Sequence, residues 1–338
     1  MSPRSRHHTL LLILCFGTVY LVWGSTFMGI KIAVQKIPPL FMGGIRFEIA
    51  GVVLLLILAL TGKVNWKWIS QWPAWRTAII SGAIMLLLAH GLQCMGLDRN
   101  IPSGIAALIV GSTPISMVTL DRLQTRRGLP SGRVMLGMFS GLVGVCVLVG
   151  GSIMSTNLGI HIDWIGALLV LGSSLSWSAG TILCRTLPQP REPLVASALQ
   201  MIVGGFMLLV VSFALESWKP MAAVPWSDSV WLALLYLTIF GSLLAYPAYM
   251  WIIRNASAPA VATYAFVNPM IAMFLGWLVL HEQLHPRIGL AAILILGGVV
   301  LMQTGRKTRE DHHHSPRSPL QTDESLTRQS ISPQGDAR

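Results

Sequence analysis

The chain has 338 residues, of which 53% are hydrophobic and only 11% are charged, whereas soluble domains carry about 25% charged residues. This composition predicts a membrane protein and argues against an ordinary soluble enzyme. The formal charge of +11 would indicate nucleic acid as a partner of a soluble protein, but here the basic residues fall between apolar stretches, so we expect no nucleic-acid binding.

Ten apolar stretches are long enough to cross a membrane as helices. A span needs roughly 20 mostly apolar residues, because backbone amides inside a bilayer must be bonded within their own helix. The predicted spans are 10–32, 40–60, 76–96, 102–120, 133–151, 163–183, 194–215, 230–251, 258–280 and 287–303. The loops between them are short, so any binding or chemistry must take place within the helical bundle or at its surface.

The basic residues are distributed unevenly between the two sides of the predicted membrane. With a cytoplasmic N-terminus, most lysines and arginines near the spans lie on the cytoplasmic side, and the opposite side carries Lys31, Lys36, Arg99, Lys219 and Arg287. The positive-inside rule therefore predicts that both termini are cytoplasmic in a multi-pass protein of the cytoplasmic (inner) membrane. Residues 1–9 form a short cytoplasmic N-terminus, and the polar residues 304–338 are predicted to be a disordered cytoplasmic tail.

The chain contains an internal repeat. The stretch RNIPSGIAALIVGSTP at 99–114 resembles RNASAPAVATYAFVNP at 254–269, 155 residues later, and a shift of 154 aligns Trp23 with Trp177 and Gly51 with Gly205. Residues 10–151 and 163–303 thus form two repeats of five spans, and because five is odd, the second repeat must be inverted. Inverted repeats are typical of secondary transporters, whose substrate site lies between the repeats. One chain holds both repeats, so a monomer suffices.

Several stretches in this order resemble one family of transporters. They are YLVWGSTFMGIK in the first span, PPLFMGGIRFEIAGVVLL in the second, RNIPSGIAALIVGSTP in the fourth and VNPMIAMFLGWLVLHEQL in the ninth. Together with the arrangement of five plus five spans, they resemble an EamA-type permease of the drug/metabolite transporter superfamily over roughly residues 9–304. The resemblance implies a ten-helix inverted-repeat fold around a central cavity and export of small metabolites, amino acids or drug-like compounds.

Two charged residues lie within the second span. Arg46 and Glu48 are two residues apart, hence about 200° around a helix, so they cannot simply pair with each other. Arg46 either attracts a carboxylate or phosphate of the substrate or has a structural role near the membrane surface. The family resemblance favours the structural role. Glu48 either binds a coupling proton or is hydrogen-bonded to a neighbouring helix.

Polar and aromatic residues at matching depths of the two repeats are candidates for the cavity lining. His90 and Gln93 in the third span correspond in depth to Tyr246 and Tyr249 in the eighth. The alternative is hydrogen bonding between helices. The repeat-related Trp23 and Trp177 either line the cavity or anchor the helices at the membrane interface.

Two prolines occupy matching places in the fourth and ninth spans. Pro114 and Pro269 each remove a backbone hydrogen bond, so they predict a hinge or kink. The alternative is a kink without a functional role. Because a proline occurs at this place in both repeats, a moving or cavity-facing element is favoured, and Tyr264 and Asn268 are candidates for the cavity lining. Glu282, after the ninth span, is expected to be a solvated charge or to hold the ninth and tenth spans together.

Three classes of function remain at this stage. The preferred one is a secondary transporter with a small-molecule substrate, for which the sequence allows transport with or without proton coupling. The alternatives are an intramembrane enzyme acting on a lipid or lipid-linked substrate and a non-transporting membrane scaffold or sensor. No catalytic residue, cofactor or metal site is predicted, since the four cysteines form no CxxC pair and neither a GxxxxGK[ST] nor an HExxH motif occurs.

Overall fold

The structure is a computed structural model that describes residues 3–34, 36–99, 106, 109–126, 128–155, 163–190, 192–216, 227–280 and 287–304. Residues 305–338 of the predicted tail and Glu282 lie outside the described residues. In the described part, all regular elements are helices. This confirms an all-helical architecture.

Twelve helices are numbered here in chain order. They are α1 (Pro3–Val34), α2 (Pro39–Leu60), α3 (Trp66–Ile69), α4 (Trp72–Asp98), α5 (Thr113–Thr125), α6 (Gly132–Ser155), α7 (Trp164–Cys184), α8 (Pro193–Leu215), α9 (Asp228–Asn255), α10 (Ala258–Ala262), α11 (Tyr264–Leu280) and α12 (Arg287–Thr304). Two of them contain a π-helical segment, Gly82–His90 within α4 and Leu237–Leu244 within α9.

Within the part of the chain that the structure describes, six helices are long and apolar enough to cross a membrane, judged by length and composition: α1, α2, α4, α7, α8 and α9. Shorter apolar helical stretches are Gly132–Val147 in α6 and Gly289–Thr304 in α12. Large apolar side chains are exposed on the outside of the bundle, for example Leu21, Leu56 and Phe206. Such extensive apolar exposure is typical of a surface that contacts lipid, as expected for a multi-pass membrane protein.

The fourth and ninth predicted spans are interrupted rather than continuous. Gly111 and Ser112 form a turn before α5, and Pro114 lies in the first turn of that helix, where a missing N–H leaves no intrahelical bond unmade. Pro114 therefore starts a helix and does not kink one. In the ninth span the interruption is at Thr263, between α10 and α11, and Pro269 lies inside α11.

The main helix contacts pair distant parts of the chain. Helix α2 packs along α8 and α6 along α12, while α1 contacts α9 and α11, and α7 contacts α4 and α5. Glycines allow the backbones to approach closely: a Cβ on Gly205 of α8 would lie 2.7 Å from the Glu48 backbone nitrogen, and one on Gly137 of α6 would lie 2.7 Å from the Gly298 carbonyl oxygen. Close packing at small residues is the usual way in which membrane helices associate.

The two π-helical segments begin at Gly82 and Leu237, which are 155 residues apart. A π-helix bonds each N–H to the carbonyl five residues earlier, so it widens the helix and changes the direction of the side chains that follow; such segments occur frequently at functional sites. In this molecule each segment reaches the cavity described next.

Candidate functional site

A cavity with about 720 Å³ of empty space, including its opening, lies between α1, α2, α4, α5, α7, α9 and α11. The lining residues numbered below 151 are Trp23, Thr26, Phe27, Ile30, Arg46, Phe47, His90, Gln93, Val110 and Thr113. Those numbered above 163 are Ser173, Ser174, Trp177, Gly241, Tyr246, Tyr264 and Asn268.

Helical periodicity explains how single helices supply several lining residues. In α1 the lining residues occur at positions 23, 26, 27 and 30, which is the spacing of one helix face. In α7, Ser173 and Ser174 precede Trp177 by four and three residues and therefore share its face. The π-helical segments contribute His90, at the end of the first segment, and Gly241, within the second.

Four aromatic rings form a cluster at the middle of the bundle, which we call the aromatic cluster: Trp23, Trp177, Tyr249 and Tyr264. The ring centroid of Trp23 lies 5.3 Å from that of Trp177, 4.8 Å from Tyr249 and 5.5 Å from Tyr264. The contacts of Trp23 with Trp177 and Tyr264 are edge-to-face, the geometry that aromatic pairs favour. The cluster joins α1, α7, α9 and α11.

Hydrogen bonds hold both tryptophans of the cluster in place. The indole Nε1 of Trp177 donates to the hydroxyl of Tyr249 at 2.9 Å, and that hydroxyl is also 2.7 Å from Oγ1 of Thr181. Trp23 donates to the Gly241 carbonyl at 3.3 Å. Tyr249 is outside the cavity lining and instead positions Trp177.

Arg46 lines the cavity and is only 5% exposed. Its Nε and Nη1 atoms are buried and have no hydrogen-bond partner among the described residues. The guanidinium carbon lies 4.4 Å from the ring centroid of Phe47, within the range of a cation–π contact. Among the lining residues that the structure describes, none is an aspartate or glutamate, so the cavity presents a buried cation without a carboxylate.

Glu48 points to a different side of α2. It is half-buried at the contact with α8, where its Oε2 lies 3.1 Å from the position that a Cβ on Gly205 would take. It does not belong to the lining. Residues two apart lie about 200° apart around a helix. Arg46 and Glu48 therefore face different sides of α2, as the sequence predicts.

The remaining polar candidates have different surroundings. His90 is buried, with Nε2 3.2 Å from Cys94 Sγ and its ring edge-to-face with Phe47 at 5.0 Å. The Tyr246 hydroxyl donates to Gln200 Oε1 at 3.0 Å. Asn268 is 2% exposed, and its Oδ1 has no partner among the described residues.

The lining includes eight of the twelve residues that the sequence singled out: Trp23, Arg46, His90, Gln93, Trp177, Tyr246, Tyr264 and Asn268. Glu48, Tyr249, Pro114 and Pro269 lie outside it. Sequence reasoning missed Thr26, Phe27, Ser173 and Ser174, although each lies three or four residues from a tryptophan that it had selected. Extending each candidate along its helix face would have found them.

Polar contacts join the helices at the end of the bundle where α1 begins, and we call this set the N-terminal seal. The Tyr20 hydroxyl lies 2.5 Å from Thr263 Oγ1. Arg254 donates to the Pro190 carbonyl at 2.9 Å and to Gln189 Oε1 at 2.5 Å, and Arg185 donates to the Ala256 carbonyl. The seal therefore connects α1, the chain around 189–190 and the segment between α9 and α11.

At the opposite end of the bundle, which we call the far end, the described residues form two sets of polar contacts. The Glu216 carboxylate, after α8, accepts hydrogen bonds from the backbone N–H groups of Leu40 and Phe41 at 2.7 and 3.0 Å. Arg99 forms an ion pair with Asp163 at 2.7 Å. Asp163 also caps α7. The pKa of its carboxyl lies below the ordinary value, mainly because the carboxylate accepts a hydrogen bond from the N–H of Gly166, and also because Arg99 is close.

Within the described ranges, no three His, Cys, Asp or Glu side chains are placed so that they could hold a metal ion. The lining offers a ligand one guanidinium, amide and hydroxyl groups, and aromatic surfaces.

Comparison with known proteins gives a consistent result. The model of the EamA-like transporter family matches twice, at residues 10–150 and 164–304. The uncharacterized inner membrane transporter YedA of Escherichia coli (strain K12) is 35% identical over 85% of this chain and 89% of its own length. The uncharacterized transporter YvbV of Bacillus subtilis (strain 168) is 29% identical over 91% and 95%, respectively.

Two further similarities concern function and fold separately. The S-adenosylmethionine/S-adenosylhomocysteine transporter of Chlamydia trachomatis serovar L2 is 30% identical over 82% of this chain and 84% of its own length. A crystal structure of another protein superposes with a TM-score of 0.68, covering 88% of this chain and 98% of the other. Its sequence identity is 18%, so this likeness concerns the fold alone.

Proposed function

This chain belongs to the EamA-like transporter family, and on that premise we propose that it is a secondary transporter that exports a small molecule from the cytoplasm by alternating access. The substrate is a small metabolite, amino acid or drug-like compound. The relatives are transporters by name, which favours transport over an intramembrane enzyme or a scaffold without flux. One relative is named for small metabolites, in line with a small-molecule substrate here.

The proposed architecture is ten membrane helices in two inverted repeats, residues 10–151 and 163–303. Four observations support it. The family model matches once in each part, and the π-helical segments begin 155 residues apart. Helix α1 contacts α9 and α11, while α7, its counterpart, contacts α4 and α5. Trp23 and Trp177, 154 residues apart, meet in the aromatic cluster.

The observation that carries the proposal is the cavity, because residues of both proposed repeats line it and a buried cation lies in it. Alternating access requires a central site that two halves can expose in turn. The N-terminal seal and the aromatic cluster lie on one side of this site, and the far-end contacts lie on the other. This arrangement is suited to a state in which access from the N-terminal end is closed.

The proposed location is the cytoplasmic membrane with both termini in the cytoplasm. The excess of basic residues on the side of the termini supports it, and the YedA relative is an inner membrane transporter by name. Proton coupling stays a prediction, for which His90 lies in the lining whereas Glu48 does not. A monomer suffices, since both proposed repeats are in one chain.

Growth of cells that overexpress the protein tests the proposal. The panel contains toxic amino-acid analogues, nucleosides and cationic dyes, and the variants are Trp177→Ala and His90→Ala, with Trp164→Ala as a control because Trp164 is 71% exposed and outside the lining. We expect resistance to one class of compound, lost in both cavity variants and kept in the control. Equal growth of all strains on every compound, with membrane expression confirmed, would contradict export of these classes.

A further inference from the structure

We propose that the cavity recognises a compound with one carboxylate, at least one N–H or O–H donor and a flat apolar body. This inference rests on the proposed function, because it names the class of compound that the transporter carries. Two buried polar groups without partners among the described residues, Arg46 and Asn268, line the same cavity beside aromatic rings. Each of these features calls for a different part of the substrate.

Arg46 calls for an anionic group. Its guanidinium is buried, two of its nitrogens lack partners among the described residues, and Glu48 faces α8 instead of the cavity. A buried charge without a counter-charge is strongly unfavourable, so a bound anion is the missing partner. The parallel N–H groups of a guanidinium match the two oxygens of a carboxylate. One cation balances one negative charge, which favours a monocarboxylate over a phosphate dianion.

Asn268 calls for a hydrogen-bond donor. Its Oδ1 is buried and unpartnered among the described residues, and an unsatisfied buried acceptor is destabilising. A hydroxyl or an amino group on the substrate would satisfy it. An amino acid and a hydroxy acid both carry a carboxylate together with such a donor, so the two sources share the chemistry that the cavity requires.

The tryptophans call for a flat apolar body. Trp23 and Trp177 both line the cavity, but their N–H groups are already bonded to the Gly241 carbonyl and the Tyr249 hydroxyl. The indoles are therefore left to contact a ligand through apolar ring surface, with Tyr264 beside them. Contacts between aromatic or other planar groups contribute beyond the burial of apolar area.

Binding of five related probes to the purified protein tests each requirement separately. The probes are L-phenylalanine, 3-phenyllactate, 3-phenylpropionate, phenylalaninamide and phenyl phosphate, and the readouts are the dissociation constant and the rise in Tm on binding. We expect phenylalanine or phenyllactate to bind most tightly, phenylpropionate to bind less tightly because it lacks the donor, and the amide and the phosphate to bind least. The comparison of phenylalanine with phenyllactate distinguishes an amino acid from a hydroxy acid.

Variants assign the two polar requirements to residues. Arg46→Gln should weaken binding of the acids by about tenfold to a hundredfold and leave the amide unchanged. It should also raise the Tm of the empty protein, because it removes a buried charge that lacks a partner. Arg46→Lys should keep a preference for the acids at reduced affinity. Asn268→Ala should abolish only the difference between phenyllactate and phenylpropionate.

Arg76→Gln serves as the matched control, because Arg76 is exposed at the start of α4 and lies outside the lining; it should bind all probes as the wild type does. Amide and acid binding equally tightly, or no probe raising the Tm of the wild type, would overturn the inference. So would a lower Tm of Arg46→Gln with its acid preference intact, since that result indicates a structural arginine. The proposed function is judged independently by the growth panel, where resistance that depends on Trp177 would uphold transport even without a carboxylate preference.

Discussion

The N-terminal seal and the far end of the bundle hold their helices together by different contacts. In the seal, partly buried arginine and tyrosine side chains bond to carbonyl and side-chain oxygens, as Arg254 does with Pro190 and Gln189. At the far end, the Arg99 and Asp163 side chains of the ion pair are 44% and 30% exposed, and exposed ion pairs contribute little. Among the described residues, the seal therefore relies on partly buried arginines, whereas the far end combines an exposed ion pair with the partly buried Glu216 carboxylate.

The cavity between the two ends contains groups that have no partner among the described residues, Arg46 and Asn268. In the N-terminal seal, Tyr20 and Arg254 have hydrogen-bond partners, whereas these two groups in the proposed substrate site have none among the described residues. This contrast has a direct consequence for transport: opening the N-terminal end requires breaking charge-assisted bonds, and a ligand in the cavity supplies new ones. Differential binding of this kind is what shifts a population between two states.

The largest effect is expected at the aromatic cluster, which separates the cavity from the seal. Trp23→Ala removes the ring that contacts Trp177, Tyr249 and Tyr264. A tryptophan at the centre of a binding site typically contributes about 2 kcal/mol or more, so the apparent KM for export should rise roughly 30-fold. The measurement is the initial rate of substrate efflux from proteoliposomes.

Trp23→Phe should lie between the wild type and Trp23→Ala, because it keeps an aromatic ring. The control is Trp66→Ala, since Trp66 is 62% exposed and distant from the lining. If Trp23→Ala and Trp66→Ala transport equally well, the aromatic cluster does not form part of the transport site.

A smaller effect is expected from weakening the seal. Arg254→Ala removes hydrogen bonds to Pro190 and Gln189, and bonds that involve a charged group contribute about 1.5–3 kcal/mol. The equilibrium should therefore shift on the order of tenfold toward states that are open at the N-terminal end. The readout is labelling of a Gln93→Cys reporter, in a background without the four native cysteines, by an impermeant maleimide applied from either side of the membrane.

Arg76→Ala, at an exposed position of the same end, is the control and should leave the labelling unchanged. An Arg254→Ala protein that is labelled like the wild type from both sides would show that the seal does not limit access, and the contrast between the two ends would lose its functional meaning.

A third prediction concerns the far end. Glu216→Gln replaces the carboxylate that accepts from Leu40 and Phe41 at the start of α2. A negative charge at a helix N-terminus, with its cap bonds, contributes about 1 kcal/mol, so Tm should fall by a few degrees while labelling from the N-terminal end stays the same. Glu192→Gln is the matched control, because Glu192 is exposed and makes no side-chain cap bond to α8. A change in labelling without a change in Tm would contradict the assignment.

Local patterns predicted much of this molecule. Apolar stretches predicted an all-helical protein, and six helices among the described residues are long and apolar enough to cross a membrane. The shift of 154 relates Trp23 to Trp177, and in the structure their rings meet. The two-residue spacing of Arg46 and Glu48 implied different faces, and the structure separates them. These features depend on helix geometry and on sequence similarity between parts of the chain, both of which can be read from the amino-acid sequence.

Other features depend on contacts across the chain and have no local signal. Glu216 caps α2 through the N–H of Leu40, 176 residues earlier in the sequence, and the sequence shows Arg254 only as a basic residue near a span. The π-helical segments leave no recognisable periodicity in GAIMLLLAH or LTIFGSLL. The sequence predicts a hinge or kink at Pro114, whereas in the structure a turn at Gly111 and Ser112 precedes the helix and Pro114 lies in its first turn.

The smallest effect is expected at the exposed pair of Arg99 and Asp163. Asp163→Asn keeps a side-chain oxygen that can cap α7, since asparagine caps helices as well as aspartate does, and removes only the charge.

The pKa of the Asp163 carboxyl is lowered in the folded protein by the N–H of Gly166 and by Arg99. Its ionised form is therefore stabilising above the ordinary carboxyl pKa of 3.8, and this stabilisation is lost as the pH falls through the lowered value. The Tm difference between wild type and Asp163→Asn should be small at about pH 7, smaller than that of Glu216→Gln, and should shrink as the pH falls below 3.8. A Tm difference as large as that of Glu216→Gln, or one independent of pH, would contradict the assignment of a weak, exposed ion pair at the far end.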